Sequence, residues 1–537
     1  MIAMTSRVTL ATTALLLAAS TASAQSISTF TGASSDAWTT SGNWSPSGVP
    51  NSTTAWAQIN SSTVTTMRIF YPSSSLTSGS ILSVGAISFL PTLNAGTSTF
   101  SIQNNSTSTN GLLRFYGVDT TVASQARRYI LVNSSTFSNV QFTQTNAGQN
   151  FELNTSGAIY VGAATTLTLT PKISEAGGAR ALTKTGPGIL AFAGTGNLSD
   201  TSSYTGGFVL EEGTVQIALS GNSSASPFGT GTLTLRSGTI RSTTTSSRSI
   251  NTNVLLDGTV TLGSTAAGFT GDIDVNSAGG TRSTTIQSDS VVSIAGGTTA
   301  WAQATSGAGG LTKAGAGVLR FTGVGGLLTH SGSTIVQEGT VVMNGNLSSA
   351  SVLTVLNNAT LFGSGTVAGA TSILTGGTFS PGASSGSTSL FTVGAGGLTL
   401  GGRTLLEFAG TTRGTQYDAV NLSGGLTYGG PLALFFSGTL PPGTYDLFSG
   451  FTSQAGSFSS ISLSGGYSGS LTESAGVWSG SFGDQTITFT NATGSLVVVP
   501  EPSAAMLVVL AWTVFTTGAS VMRRRRTIRP ASQEPAS

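Results

Sequence analysis

The chain has 537 residues, of which 7% are charged, 38% are apolar and 73 are glycine. That balance excludes a disordered polyelectrolyte, which needs high charge and few β-branched residues. There is no cysteine, so thiol nucleophiles, thiolate metal sites and disulfide staples are excluded. The formal charge of +2 becomes −3 once Arg7 and the five arginines and one glutamate beyond Pro502 are set aside. The pI of 9.0 is therefore a property of the two ends and gives no reason to expect a nucleic-acid partner.

At the N-terminus Arg7 precedes an apolar stretch, residues 8–19, and then Ala22-Ser23-Ala24 and Gln25. Charged, apolar and small residues in that order predict a secretory signal peptide over residues 1–24, handled by the Sec machinery and signal peptidase, with Ala22 and Ala24 at the cleavage site and Gln25 as the new terminus. An N-terminal anchor would need a longer apolar segment. Next come Trp38 and Asn43-Trp44-Ser45-Pro46-Ser47-Gly48-Val49-Pro50-Asn51. They resemble the opening motif of a group of bacterial surface proteins and are expected to begin an N-terminal cap; an aromatic-rich turn is the alternative.

From there the chain alternates Thr, Val, Leu, Ile and Phe with Ser, Thr or Gly, broken by glycine turns every ten or so residues, as in Gly231-Thr232-Leu233-Thr234-Leu235. Period two predicts strands with one buried face, and no amphipathic helix is expected between Gln25 and Val499. Short strands in such number suit a sandwich array, a propeller or a solenoid.

An internal repeat decides among them. Leu182-Thr183-Lys184-Thr185-Gly186-Pro187-Gly188-Ile189-Leu190 returns 129 residues later as Leu311-Thr312-Lys313-Ala314-Gly315-Ala316-Gly317-Val318-Leu319. After a three-residue deletion, the segment from Tyr204 to Val215 aligns with that from His330 to Val341. A strand, turn and strand cannot cover its own apolar face, so stacked neighbours must share one core. These units resemble the autotransporter-associated β-strand repeat, with His330 where an aromatic is usual and Ser333 where a glycine is. The resemblance implies a right-handed parallel β-helix exposed at a cell surface. No twelve-strand translocator domain follows in the sequence.

Beyond the repeats, Gly363-Ser364-Gly365-Thr366-Val367 and Gln416-Tyr417-Asp418-Ala419-Val420 lead into segments 431–436, 443–448 and 456–463, which read as antiparallel-style strands. Residues 383–498 are expected to form a separate all-β module closing the solenoid, since an open end would leave strand edges unpaired. The solenoid itself is expected over 25–180 and 181–382.

The tail, residues 499–537, begins Val499-Pro500-Glu501-Pro502, continues through 20 uncharged residues, 503–522, and ends on Arg523-Arg524-Arg525-Arg526. A run of that length predicts a transmembrane helix with the arginines on the cytoplasmic side. The three elements in order resemble the PEP-CTERM sorting signal of Gram-negative bacteria. The resemblance implies an exosortase-type enzyme as partner, Pro500, Glu501 and Pro502 as substrate residues, and delivery to the cell surface or extracellular matrix. An ordinary single-pass tail anchor is the alternative.

Catalytic chemistry has few carriers. His330 is the single histidine and stands at an aromatic repeat position, which favours packing over general-base work. With no second histidine and no cysteine, common zinc and copper sites have no ligand set. No phosphate-binding Gly-x-x-x-x-Gly-Lys loop is present, nor the calcium-binding Gly-Gly-x-Gly-x-Asp nonapeptide. Asp272 and Asp274 share one strand face and are the one pair to weigh for acid–base work on a polysaccharide, although Ile273 and Val275 facing inward make them a plain solvent-facing alternation. Asp418 and the pair Glu211 and Glu212 read as turn or surface residues. The expectation is an all-β, non-enzymatic protein of the outer surface or biofilm matrix, without cofactor or metal, touching exopolysaccharide or other surface proteins. A surface-held β-helix hydrolase or lyase is the alternative, and a scaffold with a partner-binding end module is not separable from the first reading by sequence.

Overall fold

The computed structural model describes residues 25–33, 37–59, 66–70, 81–89, 99–104, 111–117, 128–132, 138–144, 149–193, 202–218, 226–277, 281–322, 327–348 and 350–501. The predicted signal peptide with Ala22 and Ala24, and Pro502 with the apolar run and Arg523–526, lie outside them. Within them there is no α-helix, and one 3-10 turn at Ser41–Asn43. No helix among the described residues is long and apolar enough to cross a membrane.

Nearly all regular structure is parallel β-strand wound as a coil with three faces. The first face runs from Ser26–Phe30 and Ala55–Ile59 through Gly157–Val161 and Leu182–Thr185 to Ala419–Leu422 and Phe448–Ser449. A second begins with Thr66–Phe70 beside Thr99–Asn104, passes through Thr166–Leu169 and Ile189–Phe192 and ends at Gly425–Tyr428 and Ser453–Ala455. The third starts with Ile81–Val84 and Gly111–Phe115 and, from Arg248–Ile250 onward, stacks through Val318–Phe321 and Gly339–Met343 to Pro431–Phe436 and Ser460–Gly465. Most strands are short because the chain must soon turn a corner, although Leu233–Ser242 and Val254–Leu262 each run on across two faces. Glycines with positive φ such as Gly186, Gly213, Gly315 and Gly339 stand at corners. Alternate side chains point inward, so Leu319, Val341 and Leu361 form one buried stack along the coil. Rungs about 4.8 Å apart bring such residues into direct contact.

Both ends are covered. At the N-terminal end Trp38 and Trp44 meet edge to face at 4.8 Å, the Trp44 indole donates to the Trp38 carbonyl at 2.8 Å, and the buried Asn43 amide donates to Ala37 at 2.7 Å. The opening motif thus forms a plug beside the first rung. At the other end Gly469–Ser474, Val477–Phe482, Gln485–Thr490 and Ser495–Pro500 make an antiparallel sheet, joined by Gly443–Asp446. Its inward Phe489 packs on Tyr428, Phe448 and Phe458 of the last rungs.

Two expectations are corrected. The boundary at 383 falls inside the coil, whose parallel pairing continues to Ser460–Gly465. Pro431–Phe436, expected in antiparallel style, is parallel on both sides, because inward Leu432, Leu434 and Phe436 repeat the same alternation that the other rungs use. A period of two describes the buried face and is silent on partner direction.

Candidate functional site

The chemistry concentrated in the repeats lies at their corners. Leu182–Thr185 is a strand whose inward positions are occupied by Leu182 and Lys184, and the lysine is completely buried. Its ammonium donates to the carbonyls of Thr185 at 2.9 Å, Gly186 at 2.6 Å and Glu212 at 3.1 Å. In the second unit buried Lys313 donates to the carbonyls of Gly315, Gly317 and, at 2.8 Å, Glu338. Burial pushes Lys184 down to about 7 and Lys313 to about 8, with Glu212 and Glu338 pulling the other way. Three carbonyls also saturate the three donors of an ammonium, which favours the charged form. Gly213 and Gly339 close each corner from the next rung with φ of +79° and +69°; a Cβ there would lie 2.7 Å and 2.5 Å from the lysine nitrogen.

The two units do not sit above one another. Following the second face from Ile189–Phe192 through Thr214–Ile217, the far halves of Leu233–Ser242 and Val254–Leu262, and Ser290–Ile294 leads to Leu311–Ala314. The first unit therefore turns from the first face to the second, and the second unit from the second face to the third. The repeated sequence specifies a corner and not a particular face, since it serves at two different corners of the coil.

His330 is buried inside a chain of hydroxyls. Thr305 meets its Nδ1 and Thr334 its Nε2, each at 2.8 Å; Thr334 continues to Ser351 at 3.0 Å, and Ser351 donates to the Gly332 carbonyl at 2.7 Å. Burial pulls its pKa down to about 4, so the ring is neutral and ties adjacent rungs together.

The acidic residues are held by backbone. Asp272 accepts from the Thr298 amide at 2.9 Å and Asp274 from the Ala300 amide at 2.8 Å, where Ile273–Val275 pairs with the next rung only at Val275 and Trp301. The two side chains replace missing ladder bonds. Burial and the neighbouring Asp272 raise the Asp274 pKa. Glu211 pairs at the surface with Arg236, which also reaches Asp257, and Glu212 accepts from the Gly186 amide at 3.1 Å. Asp418 is not a turn or surface residue as expected. It is fully buried and accepts from the amides of Ser389 at 2.7 Å and Glu407 at 2.9 Å, while Glu407 accepts from Gly386. Burial pushes Asp418 up to about 8, against those two amides. Together the two acids pin the excursions 382–389 and 409–418 to the coil. Beside them Arg413 donates to Asn421 and Ser449 and to the carbonyls of Val420 and Asp446. Among the described residues no group of three or more His, Asp or Glu could hold a metal ion.

Of the predicted processing residues, Gln25 is exposed next to the first strand. Pro500 ends the strand Ser495–Pro500, opposite Gln485. Exposed Glu501 carries the ladder one step further, its amide donating to the Asp484 carbonyl at 2.7 Å and its carboxylate accepting from Thr486 at 3.1 Å. Hydrogen bonding to the side chains of Ser481 and Thr486 lowers its pKa. The folded body thus runs into the Pro-Glu step without a linker.

Sequence reading missed the buried lysines and Asp418. A signal for the first was present: Lys184 and Lys313 occupy inward positions of alternating strands in a chain with few charges.

Residues 182–217 and 311–343 match the family model of the passenger-associated transport repeat. No curated protein matches the chain. The chain carries autotransporter-type β-strand repeats, and repeats of this kind point to a passenger-like domain of a surface or secreted protein.

Proposed function

We propose that this is a non-enzymatic, exported structural protein of the cell surface or extracellular matrix, of biofilm or adhesion type, sorted through its C-terminal Pro-Glu-Pro, apolar and arginine segments by an exosortase-type enzyme. The observation that carries the reading is a capped coil in which the weighed acids already serve backbone amides: Asp272, Asp274 and Asp418 hold strands and excursions in place. Its uncharged outer columns, such as Thr354, Ser372, Thr399 and Thr427 in register along the second face, offer hydroxyls to carbohydrate or to other surface proteins. The alternative of a surface-held polysaccharide hydrolase or lyase rests on Asp272 and Asp274 alone.

Intact-mass analysis and peptide mapping of the native protein from surface and envelope fractions test the sorting. A form beginning near Gln25 and ending close to Pro500–Pro502 in the surface fraction is expected. A chain that keeps residues 503–526 while exposed at the surface would sink the exosortase reading and leave a tail-anchored protein.

A further inference from the structure

We propose that each repeat corner is a nest for a monovalent cation, built from backbone carbonyls, which the chain fills with its own lysine ammonium. This goes beyond the surface role and does not depend on it.

The two corners are independent witnesses. In both, a glycine with positive φ, Gly186 or Gly315, reverses the chain so that its carbonyl turns to the lysine nitrogen, and a carbonyl of the next rung, Glu212 or Glu338, closes on the same nitrogen. A third comes from Thr185 in one and Gly317 in the other. The bond from Lys184 goes to the main chain of Glu212, whose carboxylate is turned to the Gly186 amide. The corners lie between different pairs of faces, so the neighbours differ while two of the three oxygens recur at equivalent positions. Converging carbonyls at such distances are how a protein replaces the water around a monovalent cation, and a buried cation without such oxygens would be costly. At Gly213 and Gly339 any side chain would enter the nest, since its Cβ would meet the lysine nitrogen.

The chemistry predicts a vacancy with defined selectivity. Lys184→Ala removes the ammonium and leaves the oxygens, making a site for ammonium or potassium; Lys184→Met fills the space without charge. The intact chain and both variants are melted by circular dichroism in ammonium chloride and in tetramethylammonium chloride of equal ionic strength. Lys313→Ala and Lys313→Met repeat the measurement at the second corner. The alanine variants are expected to melt several degrees below the wild-type chain and to regain most of that loss in ammonium only, because tetramethylammonium has no N–H and is too large. Methionine variants are expected to stay low in both salts, and the wild-type chain to respond equally to both. Methionine variants that melt like the wild-type chain would reduce the lysine to a space filler and overturn the proposal. Alanine variants that respond equally to the two salts, or stay unfolded in ammonium, overturn it as well.

Discussion

His330 stands where the first unit has Tyr204, and the two solve the same problem differently. The tyrosine hydroxyl donates to the Pro227 carbonyl at 3.2 Å, whereas the histidine needs a hydroxyl on each nitrogen. Its pKa is depressed in the fold, to about 4, against about 6.5 in an unfolded chain. The sign follows from proton binding: below pH 6.5 the unfolded chain takes up a proton that the folded ring refuses. The stabilisation is therefore complete above pH 6.5 and is lost as pH falls toward 4, amounting to about 2 kcal/mol by pH 5. Between pH 7.5 and pH 5 in urea unfolding, the wild-type chain should lose about 2 kcal/mol more than His330→Gln, which hydrogen-bonds but does not titrate. The difference between the two proteins isolates the ring from other groups that change charge in that range, such as Asp418. Equal losses in the two proteins would mean that the ring is protonated in the fold.

At the scale of elements, the corner is the unit of construction. Gly213→Ala and Gly339→Ala each place a Cβ on the lysine nitrogen and on carbonyls of the previous corner, at a positive φ that alanine disfavours. Each is expected to cost about 2 kcal/mol or more in urea unfolding, and the two costs should be similar although the corners join different faces. A neutral Gly213→Ala would show that the corner relaxes. The strands and turns were legible in the sequence because inward Leu, Ile, Val and Phe alternate with hydroxyls and because glycine punctuates them. The repeat was legible too, down to the match of Tyr204 with His330. The side-chain roles at the corners were not. Lys184 looks like any surface lysine until its strand is known to begin with inward Leu182, which makes the position two residues later inward as well. Asp418 likewise reads as a turn residue, and only the folding back of residues 409–418 onto the coil buries it.

At the scale of the whole molecule, stability is shared between neighbouring rungs, so the ends matter most. Phe489 lies fully buried on the last rungs, its ring 5.8 Å from that of Phe458 and 6.1 Å from that of Tyr428. Phe489→Ala is expected to destabilise the closing sheet by about 3 to 5 kcal/mol and to uncover the edges of the final rung, Phe448–Ser449 and Ser453–Ala455. Native hydrogen exchange should then show early loss of protection in residues 443–500 and little change in the first half of the coil. Uniform loss along the chain would mean that the coil and its cap unfold as one unit. A closing module at this end was expected from the sequence, but where the coil stops and the cap begins was illegible, since coil strands and cap strands share the same alternation.

The displacement of the second repeat by one face has a consequence for ancestry. A motif confined to one side of the coil could be copied only in whole turns, because any other insertion would invert or misplace everything after it. A motif that specifies a bend can be copied, lost or slid in steps of a single side. The 129-residue interval between the two units then need not preserve any period. Chains descended from a common parent could share the corner and differ in the number of sides between corners. Relatives of this protein would be recognised by short, irregularly spaced matches, and alignment by fixed period would miss them.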